Sequence, residues 1–311
     1  MGERMAIAVV GVGHLGKHHL RLAATLPFWH CVGAYDTDRA KLETLCGEYG
    51  VPPLKSLAQA VELCQVAVVA TPTTTHRQVA GAFLEAGRHV LVEKPLASDE
   101  GEGQELVELA RARRAVLGVG HVEYFNPAVQ ALLARRPQPK YLEAQRLSPF
   151  SKRSLDVDVV LDLMIHDLQI LQALNPGAAV AEIRAVGVPV LSAKIDLANV
   201  RLALTNGCVA CLTASRVSSD RVRKLRVFES RAYYSLDYSE QSIHAFRLDL
   251  DRGEPCIVPM PVEVAPGEPL AREHEALANR IRGHGGPFVD GEAGLAALAA
   301  ARNIVAALTC P

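Results

Sequence analysis

Ile7-Ala8-Val9-Val10-Gly11-Val12-Gly13-His14-Leu15-Gly16-Lys17 decides how the rest of the chain is placed. The apolar run from Met5 to Val10 predicts a buried strand that stops at a glycine turn. Leu15, Leu20, Leu22, Ala23 and Leu26 then follow in a helix-like pattern. The glycines have the G-x-G-x-x-G spacing of a dinucleotide site. Gly11 permits the tight turn, Gly13 lets the backbone approach a pyrophosphate, and Gly16 lets helix and strand pack closely. The helix N-terminus adds N–H groups and a partial positive charge for that phosphate. Asp36 ends the next strand, 20 residues after Gly16, where an acidic side chain accepts hydrogen bonds from an adenine ribose. An unrelated α/β protein can have a glycine turn; strand, turn, helix and acid in this order are more specific. NAD is the expected cofactor. A carboxylate repels the 2′-phosphate of NADP, although Arg39 lies close enough in sequence to weaken that preference.

A length of 311 residues predicts two domains, 1–121 and 122–311. With 49% hydrophobic and 22% charged residues the composition is that of a soluble globular protein. A net charge of -1 gives no reason to expect nucleic acid or an acidic membrane surface as partner. No run reaches the roughly 18 apolar residues of a membrane span. The first strand starts almost at the N-terminus, so no signal peptide is expected and the location is expected to be cytoplasmic. The seven cysteines suit reduced thiols. Cys208 and Cys211 form a C-x-x-C inside a strand pattern that turns them to opposite faces, so ordinary burial is expected and no metal site.

Strand and helix patterns alternate up to His121: strands at 31–35, 66–70, 89–92 and 115–119, helices at 38–49, 75–85 and 98–113, with Ser98 as N-cap of the last. This is an α/β pattern, a doubly wound parallel sheet of the Rossmann kind. After His121 the pattern changes to α+β. A short helix starts near Pro127, a strand covers 141–147, and a helix covers 159–174. Successive strands at 182–188, 193–204, 208–215, 221–229, 232–237 and 244–250 predict a large, mainly antiparallel open sheet. Asn206-Gly207 is the strongest hairpin signal in it. A Pro-rich irregular link at 255–269 precedes helices near 270–282 and 291–308.

Three clusters carry candidate chemistry. Thr71-Pro72-Thr73-Thr74-Thr75-His76 follows the third strand, where ligands of open α/β sheets bind, although Thr74 or Thr75 serves equally as a helix N-cap. Glu93-Lys94-Pro95 ends the fourth strand. A lysine there can polarise a carbonyl or exchange a proton with a hydroxyl, whereas most strand-end lysines are simply solvated. On the helix near 159–174, Asp158, Asp162 and His166 lie four apart and share a face distinct from the stripe of Leu161, Met164, Ile165, Leu168 and Leu171. A carboxylate one turn from a histidine suits a general base, and a surface Asp–His pair has the same spacing. Asp167 points elsewhere, as an ordinary solvated acid.

The glycine loop, the Thr71-Pro72 turn, Glu93-Lys94-Pro95 and Asp162-x-x-x-His166, in this order, resemble the glucose-fructose oxidoreductase / inositol dehydrogenase (Gfo/Idh/MocA) family over nearly the whole chain. The resemblance implies hydride transfer from a sugar or cyclitol carbon to nicotinamide. His166 takes the hydroxyl proton, Asp162 orients it, and Lys94 stabilises the developing oxygen charge. Cofactor contacts are expected from Gly11, Gly13, His14, Leu15, Gly16, Asp36, Arg39, Thr71, Pro72, Thr73, His76, Glu93 and Lys94. Substrate contacts are expected from Lys94, Glu123, Asn126, Arg146, Arg153, Asp162 and His166. Many members carry Gly-Gly ahead of the Asp, whereas Asp156-Val157-Asp158 stands here.

Residues 121–129 and 156–167 resemble a bacterial subgroup that oxidises nucleotide sugars, notably UDP-N-acetylglucosamine at the 3-hydroxyl, ahead of amination for lipid A. Arg146, Lys152 and Arg153 would suit its diphosphate, or form a solvated basic loop. An inositol or free-sugar dehydrogenase and a non-catalytic NAD-binding sensor or scaffold remain the alternatives. The partner is expected to be a small molecule, and the assembly a homodimer or homotetramer.

Overall fold

Apolar strands alternating with helices build the first of two compact units. The computed structural model describes residues 3–150, 157–250 and 254–309. The first unit comprises Met1–His121 together with Leu270–Leu298, and the second Val122–Pro269 with Ala299–Pro311.

In the first unit the chain runs β1 (Met5–Val10), α1 (Gly16–Thr25), β2 (Trp29–Tyr35), α2 (Arg39–Tyr49), α3 (Leu57–Leu63), β3 (Val66–Val69), α4 (His76–Glu85), β4 (His89–Glu93), α5 (Glu100–Arg113) and β5 (Leu117–Gly120). The strands are parallel in the order β2-β1-β3-β4-β5. Every residue of β3 and β5 is buried, as in sheets covered on both faces. The chain leaves β1 for β2 on one side and later adds β3 on the other, so the switch point lies at the end of β1. Asp38 and Ser56 cap α2 and α3 through side-chain oxygens. Asp99, not Ser98, caps α5; the Ser98 N–H is instead taken by Glu102.

The second unit starts with α6 (Pro127–Ala134), which has Asn126 as N-cap and proline at its start, and β6 (Tyr141–Leu147). A π-helical turn (Val160–Met164) runs into α7 (Ile165–Leu174). Then come β7 (Val180–Val188), β8 (Leu197–Leu204), β9 (Val209–Ser215), β10 (Val222–Phe228), β11 (Ala232–Asp237), β12 (Ser242–Asp249) and β13 (Cys256–Met260). The chain continues through α8 (Pro269–Ile281), α9 (Gly291–Ala307) and β14 (Leu308–Thr309). The sheet order is β13-β12-β11-β10-β6-β9-β8-β7-β14. Its pairings are antiparallel except β6–β9 and β7–β14. Asn206-Gly207 makes the β8–β9 hairpin, with Gly207 at φ +83°.

Three differences from the sequence reading have physical causes. The second unit is not the continuous stretch 122–311, because 270–298 packs into the first. Leu277 and Ala278 join the core of Ile7, Leu20 and Trp29, and helical periodicity does not say which core a helix will join. The Pro-rich link contains β13, an edge strand that tolerates Pro259. The strand expected from 193 starts at Leu197, because Asp196 gathers the N–H groups of Val190, Leu191 and Ser192 into a turn.

Candidate active site

The glycine loop divides by what each glycine must avoid. Gly11 has φ +85°, and a Cβ there would lie 2.6 Å from the Ala70 carbonyl oxygen. A Cβ at Gly16 would fall 1.8 Å from the Gly11 carbonyl oxygen. The fold itself requires both. Gly13 is different, since a Cβ there would meet nothing within 4 Å. Its bare side is open space next to the N-terminus of α1, where a pyrophosphate needs close approach to backbone N–H groups. Asp36, at the end of β2, accepts the Val12 N–H at 2.7 Å and the Asp38 N–H at 2.9 Å. Its carboxylate keeps further lone pairs for ribose hydroxyls. The loop and Asp36 thus fit NAD, with His14 and Leu15 exposed on the loop. The Arg39 guanidinium reaches the Leu54 carbonyl at 2.6 Å and the Glu43 carboxylate at 3.7 Å.

After β3, Thr71, Pro72 and Thr73 stay at least partly exposed, and the Thr75 hydroxyl lies 2.8 Å from Thr71 Oγ1. His76 does not join them. It is buried, with ring nitrogens 2.9 Å from the Pro95 carbonyl and 3.0 Å from the Thr71 carbonyl, and a neutral ring donates to one of the two. Burial holds its pKa below the usual histidine range. Glu93 also turns inward. Its Oε1 accepts from His19 at 2.9 Å and its Oε2 from the Lys94 N–H at 3.2 Å. Lys94 is half-buried. Burial, and then the Lys94 charge, push the neighbouring His121 imidazole down to about 3.

In the second unit Asp162 and His166 sit on the widened π turn and the first turn of α7. Such bulges recur at functional sites, where they re-aim side chains within a helix. Asp158 leaves the expected face and caps a neighbouring loop, its Oδ1 accepting the Ile195 N–H at 2.8 Å. Arg216 completes this anchor, donating to Asp196 Oδ1 at 2.8 Å and to the Val157 carbonyl at 2.9 Å. The entry to the helix is thereby tied down by Asp158 together with Asp196 and Arg216, two groups whose spacing in the sequence carries no signal of this role.

The remaining substrate candidates are largely occupied inside the unit. Arg146 is 3% exposed; its Nε and Nη2 hold the two oxygens of Asp167 at 2.9 and 2.8 Å, and Nη1 holds Glu123 at 2.7 Å. Three of its five N–H groups are thereby committed to the two carboxylates inside the unit. Glu123 also accepts from Arg223 at 3.3 Å. Asn126 caps α6 and donates to the Tyr238 carbonyl at 3.0 Å. Asp167, expected in solvent, is buried beside the Tyr238 hydroxyl at 3.4 Å. Period-two alternation in β6 carried the signal, because Arg146 is in phase with the buried Leu142 and Ala144. Lys152 and Arg153 lie outside the described residues.

Residues 5–121 match the family described as "Oxidoreductase family, NAD-binding Rossmann fold". The chain is 37% identical over 303 residues to the UDP-N-acetylglucosamine 3-dehydrogenase of Acidithiobacillus ferrooxidans, spanning 96% of each. The solved structure of that enzyme aligns with a TM-score of 0.90 at 36% identity, covering 99% of this chain and 98% of that one. A myo-inositol dehydrogenase of Streptomyces leeuwenhoekii is 30% identical over 197 residues, 59% of each. The chain belongs to the Gfo/Idh/MocA family of oxidoreductases, with an NAD-binding Rossmann domain over residues 5–121.

Proposed function

We propose that this NAD-binding oxidoreductase oxidises a nucleotide sugar, UDP-N-acetylglucosamine, at its 3-hydroxyl to the keto sugar. The observation that carries the reading is identity of 37% to a dehydrogenase of that substrate over 96% of both chains. NAD, when bound, supplies the hydride acceptor. His166 takes the hydroxyl proton as general base. Asp162, four residues earlier on the same helical segment, orients the imidazole and favours its cationic form. Lys94 stabilises the oxygen as negative charge develops on it. The partly exposed Thr71-Pro72-Thr73 turn belongs to the cofactor side, at the carboxyl end of β3.

The test is a screen of UDP-N-acetylglucosamine, free N-acetylglucosamine and myo-inositol for NADH formation, with the product identified by NMR. The UDP-sugar alone is expected to react. Free sugars or inositol reacting while the UDP-sugar does not would replace this reading with the free-sugar alternative, and no reduction by any of them would favour a sensor. Lys94→Ala and His166→Ala are each expected to lower kcat at least 100-fold, the order of a lost general-acid or general-base step, with NAD affinity within about threefold of wild type. Wild-type turnover in both would sink the assigned roles.

A cytoplasmic homodimer or homotetramer is part of the proposal. The described residues contain no helix long and apolar enough to cross a membrane, and β7 exposes Val180 and Val186 on the large sheet. Light scattering in solution tests the assembly.

A further inference from the structure

Behind Lys94, inside the first unit, lies a chain of buried polar groups that the reaction above does not use. Trp29 Nε1 donates to His274 Nδ1 at 3.1 Å. His274 Nε2 lies 2.9 Å from His19 Nδ1, and His19 Nε2 lies 2.9 Å from Glu93 Oε1. An indole N–H only donates, so His274 Nδ1 must be an acceptor. The His274 proton then sits on Nε2 and is donated to His19 Nδ1. That leaves the His19 proton on Nε2, donated to Glu93. A second proton on either ring would set two donors against each other, so both imidazoles are neutral and every bond runs towards Glu93. Burial, with His19 and Arg21 nearby, independently holds His274 well below the usual histidine range.

Glu273 faces the end of this chain. It is 1% exposed, neither carboxyl oxygen has a hydrogen-bond partner, and one of its oxygens lies within 4.8 Å of ligand atoms of His19 and Glu93. Burial, and then the Glu93 charge, drive its pKa well above the carboxylate range. Gly120 leaves the room for this arrangement, since a Cβ there would fall 2.9 Å from Glu93 Cδ. His19, Glu93 and Glu273 have the donor set of a divalent-cation site. The bond directions argue otherwise, because a metal would need the His19 Nε2 lone pair that a proton occupies.

We propose that Trp29, His274, His19 and Glu273 are positioning residues for Lys94: the imidazole chain keeps the negative charge on Glu93, where it holds the Lys94 peptide N–H, and leaves the pair's single proton on Glu273. The inference rests on the reading of Lys94 as a catalytic residue.

Steady-state kinetics, infrared spectra of protein labelled with 13C-glutamate, and metal analysis test it on the purified full chain. His19→Leu removes the donor to Glu93 and is expected to lower kcat roughly tenfold to 100-fold, with KM for NAD unchanged, as a small misplacement of a catalytic group does. His19→Gln, which keeps a donor and an acceptor, is expected to restore most of that loss. Glu273→Ala is expected to lower kcat and Glu273→Gln, a mimic of the neutral carboxyl, to restore it. The protonated-carboxyl band of the wild type should vanish in Glu273→Gln. Wild-type kcat in His19→Leu would overturn the positioning role. Equal loss in Glu273→Gln and Glu273→Ala, absence of the band, or a stoichiometric divalent metal lost from Glu273→Gln would overturn the placement of the proton. If Lys94→Ala itself keeps turnover, the catalytic reading has failed, and the infrared band still decides where the proton resides.

Discussion

Two buried polar networks, one in each unit, are built on opposite plans. In the second unit Arg146 and Arg223 face Glu123 and Asp167, full charges matched two against two, with Arg146 also 4.9 Å over the Tyr238 ring. In the first unit Trp29, His274 and His19 are neutral, all their bonds point one way, and a single carboxylate ends the line. The charged cluster is held by Coulomb attraction in a low dielectric and has no proton to misplace. The neutral chain depends on every proton being on the right atom. Burial therefore secures one network against pH and makes the other sensitive to it.

The largest effect should come from breaking the charged cluster. Arg146→Met leaves Asp167 buried without its bidentate partner and is expected to destabilise the protein by about 3–5 kcal/mol in urea unfolding. A loss below about 1 kcal/mol would mean that the cluster is wetter than its burial indicates. Trp29→Phe should cost less, about 1–3 kcal/mol, because it orphans one neutral acceptor, His274 Nδ1. If the two variants prove equal, the contrast between the networks fails.

The smallest effect sharpens the contrast by pH. The folded pKa of His274 lies well below its unfolded value near 6.5, so the unfolded chain binds the extra proton as pH falls. Its contribution to stability is complete above about pH 6.5 and declines below it. Between pH 6.5 and 5.5 the wild type should lose up to about 1 kcal/mol more than His274→Asn, when each is compared with itself. Matching slopes would show that His274 is already charged in the folded state. Arg146, whose pKa is raised by Asp167 and Glu123 against the opposing pull of burial, should contribute no slope in this range.

Much of this was legible in the chain, because periodicity reports local burial. The five parallel strands, the glycine loop and the Asn206-Gly207 hairpin each announce themselves within a few residues. α3 leaves little trace in the sequence because it is short and buries only Ala60. The burial of Arg146 and Asp167 is written in their phase, since Arg146 follows Leu142 and Ala144 in β6 and Asp167 lies on the buried first turn of α7, while a charged residue type by itself suggests solvent. Glu123, in the short turn Val122–Phe125, has no such periodicity to report it. His19 shares a helical stripe with Leu20 and Ala23, and His274 one with Leu277 and Ala278, so their burial could have been read. Their pairing across 255 residues could not, since nothing local connects α1 with α8.

Asp36 bears on attempts to redesign nucleotide preference. Its carboxylate is the outer anchor of the phosphate loop through the Val12 N–H, besides standing where a ribose would bind. Replacing it with a small neutral residue to admit a 2′-phosphate would also unfasten the loop, so an engineered switch would weaken binding of both nucleotides before it favoured either. Asp36→Asn, which retains an acceptor while shedding the charge, is the better first step, with a new cation added only afterwards.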